Sequence, residues 1–217
     1  MCFNANISIS TFLLGIVAII IGIINNTLSI SFSVFYFSVI AMQLAEFFIW
    51  IFINNKKINY YLSLVANIII YLQLFLFVIV LYHYNKNISY IIVIIIILFI
   101  LKRLLFNKTY KFETVIGSNK SLVWKFLLLS QIEFIIYFIL SIFVIYIVYN
   151  NENENKYFKF LLGIFMILFI ITFLFTYLKY YNVNTFGSIF CNYINIFSFI
   201  IIIVSIYKNY SISYYNK

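Results

Sequence analysis

Two carboxyl groups stand inside long apolar runs of this chain, Glu46 and Glu133. An ionisable side chain at the centre of a bilayer costs about 2.5–3.5 kcal/mol on insertion scales. Each therefore marks a place where a partner, a cavity or a ligand offsets that cost. Gln43, Glu46 and Trp50 follow one another at i, i+3 and i+7. That spacing sets an amide, a carboxyl and an indole N–H on one helical face. Such a column can hold a proton, a small polar solute or a lipid headgroup. Ser130 and Tyr137 flank Glu133 at i−3 and i+4 in the same manner.

Thiol chemistry is the second possibility. Cys2 or Cys191 as nucleophile, with Glu46 as acid and base, would make an intramembrane lipid-modifying enzyme. Cys191 otherwise reads as a small packing residue, and Cys2 as a lone juxtamembrane thiol open to acylation. The pair forms neither a disulfide framework nor a zinc spacing. His83 is the single histidine. That excludes the histidine-rich sites of membrane metallohydrolases and the axial histidine pairs of haem carriers. No Gly-rich phosphate loop is present, and the last apolar run lacks the lysine that a retinal Schiff base needs. No metal and no cofactor is expected, and a non-enzyme is the preferred reading.

These residues must be positioned by membrane helices. A span needs roughly 20 mostly apolar residues to cross a hydrocarbon core about 30 Å thick. Seven segments qualify: 9–24, 30–53, 60–82, 88–105, 121–149, 158–178 and 186–207. The first could begin nearer Phe3. The runs are continuous rather than alternating, which favours helices over barrel strands. In lipid the backbone must satisfy its own hydrogen bonds, and this overrides the β-propensity of so much isoleucine. The expectation is a single all-α domain over 1–217, a bundle of about seven transmembrane helices. The first span lacks a basic leader and a small-residue cleavage site and is read as retained. No soluble domain is expected, and the longest loop runs from Lys102 to Lys120.

Depth arithmetic then gathers further polar groups. Glu46 precedes Asn54 by eight residues and so lies roughly 12 Å below that edge. Asn67, Cys191, Asn192 and Asn195 reach comparable levels from the same side, and Cys2 opens the first span there. A polar cluster centred on Glu46, charged or protonated, is expected in that half of the bundle. The plainer alternative is that its amides and hydroxyls are interhelical glue, worth about 0.6 kcal/mol each.

Composition agrees with the membrane reading. The chain has 217 residues, 66% hydrophobic and 9% charged, against about 25% charge in a soluble domain. That leaves too little polar surface for a water-soluble globule. Fourteen basic residues stand against five acidic ones, there is no proline, and arginine occurs once, as Arg103. Asn and Lys are abundant in the manner of an A/T-rich code, so single instances carry less weight. The cations are dispersed over both faces, which argues against nucleic acid and for anionic lipid headgroups. With seven spans, nine basic residues fall on the N-terminal side and five on the other, which puts the N-terminus in the cytoplasm. Asn25-Asn26-Thr27 and Asn87-Ile88-Ser89 match the glycosylation sequon on the opposite side, a weak signal in an Asn-rich chain.

The opening Met1-Cys2-Phe3-Asn4, together with Gln43-Leu44-Ala45-Glu46 and Trp50, resembles a family of multi-pass membrane proteins of bacteria and large DNA viruses. That family opens Met-Cys-Phe-Ser and carries Gln-x-x-Glu followed by Trp in its second span. Gly187-Ser188-Ile189-Phe190-Cys191 is similar to its last-span Gly-Ser-x-Trp-Cys element. Asn4, Phe47 and Phe190 depart from the pattern. The resemblance implies that Cys2, Gln43, Glu46, Trp50 and Cys191 belong to one feature, and it carries no activity. Two readings stand level: a polar intramembrane binding or translocation site, and a structural or assembly protein without a ligand. The enzyme stands behind both.

Overall fold

Asparagine and serine start the helices. Asn4 accepts from the Ile7 N–H, Ser29 from Phe32, Asn55 from Ile58 and Asn155 from Phe158. Each side-chain oxygen takes up one of the four backbone donors that a helix start leaves unpaired. The computed structural model describes residues 4–84, 86–87, 89–90, 92–94, 97, 112–117, 120, 122–125, 131–151, 154–176, 178 and 186–215. Its helices are α1 (Ala5–Ile24), α2 (Ile30–Ile51), α3 (Lys56–Tyr84), α4 (Gln131–Tyr149), α5 (Lys156–Phe175) and α6 (Phe186–Tyr215). Between α3 and α4 lie two short strands, β1 (Thr114–Ile116) and β2 (Leu122–Trp124).

The all-α class holds. Five helices among the described residues are long and apolar enough to cross a membrane: Ala5–Ile24, Ile30–Ile51, Lys56–Tyr82, Lys156–Phe175 and Asn192–Ser211. Phe138–Tyr149 adds a shorter apolar stretch. The predicted span 88–105 falls mostly outside the described residues. Those of its residues that are described are helical, and Ser89 donates to the Val78 carbonyl.

The expected span 121–149 needs correction at its start. Leu122, Val123 and Trp124 are strand rather than helix, paired antiparallel with Ile116, Val115 and Thr114, and the helix begins at Gln131. Lys125 closes the hairpin twice, with its N–H on the Glu113 carbonyl and its ammonium 2.8 Å from the Glu113 carboxylate. The expected loop 102–120 therefore contains a structured element.

Neighbouring helices pack in a ring. Each of α1 to α5 contacts the next, and α6 returns to α1. Two glycines on α1 allow close contacts, Gly15 with α2 and Gly22 with the α1–α2 turn. A Cβ on Gly15 would lie 2.6 Å from Ile40 Cγ2, and one on Gly22 would lie 2.6 Å from Leu28 Cδ1. Of these helices α2 is the most buried. Val34, Phe37 and Phe48 are exposed along one side of it. At about 100° per residue, Phe32, Phe35, Val39 and Glu46 lie on the side diametrically opposite and face into the ring.

Candidate functional site

The lower half of α2 meets α3 and the hairpin in a second, smaller apolar cluster. Met42, Ala45 and Ile49 from α2, Ala66 from α3, and Leu122 and Trp124 from β2 are all buried there. Trp50, Leu62, Ile69 and Ile70 pack against it. The small pair Ala45 and Ala66 lets the two helices come close.

A polar seam runs through this apolar contact. On α3 it consists of Asn59, Ser63 and Asn67 at i, i+4 and i+8, one face of the helix, and all three are buried. Thr114 and Trp124 form a non-hydrogen-bonded pair in the hairpin, so the Thr114 N–H and C=O point away from β2. The Asn59 side chain meets both. Its Oδ1 accepts from the Thr114 N–H at 3.0 Å, and its Nδ2 donates to the Thr114 carbonyl at 2.9 Å. One side-chain amide thus supplies the donor and acceptor that a peptide unit would. Ser63 donates to Asn59 Oδ1 at 3.1 Å, which leaves the Thr114 hydroxyl as donor in its 2.8 Å bond to Ser63. A buried backbone group needs such partners wherever water does not reach it.

Further along the seam the satisfaction stops. Gln73 Nε2 donates to the Ser38 carbonyl at 3.1 Å and fixes the antiparallel register of α2 and α3. Stepping along both helices from that bond places Asn67 opposite Leu44, at a level between Gln43 and Glu46. Glu46 is fully buried and Gln43 nearly so. Asn67 is 9% exposed, and among the described residues its Oδ1 has no hydrogen-bond partner. The same holds for the buried Nε1 of Trp50. A buried polar atom left unpaired costs about 1–3 kcal/mol. One acceptor on α3 and one donor on α2 are therefore buried without partners within about a turn of the level of Glu46.

Gln43, Glu46 and Asn67 are buried on the facing helices α2 and α3, and Trp50 follows one turn after Glu46. The structure separates others. Asn192 is exposed on α6. Asn195 spends its amide on Thr11 Oγ1 at 2.9 Å, across the α1–α6 contact. Glu133 lies on α4 and Cys191 on α6, but their side chains are outside the described residues, as is all of Cys2. The proximity of a cysteine to Glu46, on which the enzymatic alternative turns, is therefore outside them too. Asn59, Ser63 and Thr114 were not anticipated as partners; the i, i+4 spacing of the first two was the available signal. Among the described residues no three His, Cys, Asp or Glu side chains are grouped so as to hold a metal.

The other half of α2 is packed among aromatic rings. The Phe32 ring stacks 6.2 Å from Tyr36 and meets Phe158, Phe165 and Phe197 edge-on at 5.5–6.4 Å. The Tyr36 hydroxyl is 2.7 Å from Ser198 Oγ. At the end of that half, Asn25 and Thr27 are built into the α1–α2 turn. Thr27 donates to the Gly22 carbonyl and pairs with Ser205, and Asn209 holds the Asn25 side chain. The sequon there thus serves as a latched turn with its hydroxyl buried.

The fold is that of an all-α protein of long apolar helices, with buried polar side chains where α2 meets α3. Comparison with known protein families, with curated proteins and with solved structures finds no match.

Proposed function

We propose that the chain is a multi-pass membrane protein whose working site is the region of Gln43, Glu46, Trp50 and Asn67. In this reading it binds, or passes across the bilayer, a small polar solute, a proton or a lipid headgroup from the cytoplasmic half. One observation carries the proposal. The Asn59–Ser63–Thr114 network is complete, while the Asn67 oxygen one turn further along α3 and the Trp50 indole on the facing helix are buried without partners. Interhelical glue would be expected to close on itself throughout. Membership of the Met-Cys-Phe-Ser family belongs to the same proposal.

Water access decides it. In a cysteine-free background, Asn67→Cys and Gln43→Cys are expected to react in membranes with a small charged thiol reagent, and Val39→Cys is not. Unreactive thiols at 67 and 43 in a folded protein would leave the assembly role in its place. Replacing Glu46 by Gln is expected to change that reactivity or its protection by solutes while the folded fraction stays the same.

A further inference from the structure

Away from the seam, at the opposite end of the bundle, two cations share one aromatic ring. The Lys156 ammonium lies 5.2 Å from the centroid of Tyr157, and the Lys208 ammonium lies 5.6 Å from the same centroid. The two charges are therefore no more than about 11 Å apart, a separation that follows from both distances to one ring. Lys208 is not free to swing away. Its ammonium donates to the Asn26 carbonyl at 2.8 Å, and Asn155 Nδ2 donates to that same oxygen at 3.1 Å. Asn26 holds the carbonyl there with a left-handed backbone, φ 51°. The Tyr157 hydroxyl is 3.3 Å from Ser211 Oγ, and one of these two groups keeps a proton to donate.

Two cations on one ring raise the local positive potential, which favours an anion nearby. Among the described residues neither ammonium has a carboxylate within ion-pair distance. Glu154 lies two positions before Lys156, ahead of the Asn155 cap. The place is also the end of apolar α1 and the start of apolar α5, the depth at which headgroups begin. We propose that Lys156, Lys208, Tyr157 and Ser211 bind the phosphodiester of an anionic lipid headgroup. The lysine stems lie along the apolar surface, and the ammoniums and a hydroxyl grip the phosphate oxygens. This site is independent of the seam around Glu46.

The test uses the full chain in phosphatidylcholine nanodiscs titrated with phosphatidylglycerol, read by the thermal unfolding midpoint. Wild type is expected to rise in midpoint, with saturation. Lys156→Gln/Lys208→Gln is expected to need at least tenfold more phosphatidylglycerol for the same rise. Lys156→Gln alone, which leaves the Asn26 latch intact, gives a smaller loss in the same direction and guards against a folding defect. Glu154→Gln is expected to strengthen the response. Inorganic phosphate at millimolar concentration distinguishes the source. Failure to compete assigns the site to lipid, and full competition assigns it to any phosphate group. The proposal is overturned if wild type shows no response, if the double variant responds like wild type, or if Lys56→Gln/Lys57→Gln at the other face loses as much.

Discussion

Between Phe32 and Val39, α2 is held by rings; between Met42 and Trp50 it is held beside amides and a carboxyl. The first stretch meets α5 and α6 through Phe158, Phe165 and Phe197, and its polar atom, the Tyr36 hydroxyl, is matched by Ser198. Tilted and edge-on ring pairs are worth about 0.5–1.5 kcal/mol each beyond area, and they need no water. The second stretch keeps Glu46 and Gln43 buried and leaves the neighbouring Asn67 Oδ1 and Trp50 Nε1 without partners. One helix thus carries a half packed among rings and a half packed against buried polar groups. Residues that bear on stability and residues that bear on function should accordingly separate along its length.

Substitutions can break this division. The largest expected effect is at the hairpin lock. Asn59→Ala strips both backbone partners from Thr114 and should cost about 2–4 kcal/mol, read as a lower unfolding midpoint in a mixed-micelle denaturant titration. Asn59→Asp keeps the acceptor, loses the donor, and should fall between. Next come the glycine contacts. Gly15→Ala forces a methyl into Ile40 and should cost about 1–3 kcal/mol in the same titration. Tyr36→Phe should cost about 0.5–1.5 kcal/mol, because Ser198 loses one bond and the rings stay. Glu46→Gln should move the unfolding midpoint least, while altering thiol access at position 67. A Glu46→Gln midpoint loss as large as that of Asn59→Ala would erase the distinction between the halves.

Much of the bundle was legible in the chain because hydropathy measures length along a helix axis. The ends of α1, α2 and α5 fall within a few residues of the apolar runs, and Asn4, Ser29 and Asn155 sit where caps belong. The start of α4 was not legible. Leu122-Val123-Trp124 is as apolar as the helix that follows, and a short apolar run does not declare its period. For the polar residues a sequence gives position along a helix axis and not direction around it. Asn192 and Asn195 do lie near the expected end of α6, yet one is exposed and the other turns to Thr11. Direction around an axis is set by which helices become neighbours, and a single sequence leaves that open. The Asn59–Thr114 pairing joins residues 55 apart in the chain, beyond any local pattern.

Asn59 also stands where a third strand would otherwise lie. An amide side chain is too short to carry a ladder further, so the sheet ends at two strands with its outer backbone already occupied. Without that amide, Thr114 would offer a bare edge to the corresponding segment of a second copy, and strand exchange between copies is the usual outcome of such an edge. Cross-linked dimers through residues 112–117 in Asn59→Ala, absent from wild type, would show this single carboxamide acting as a guard against misassembly.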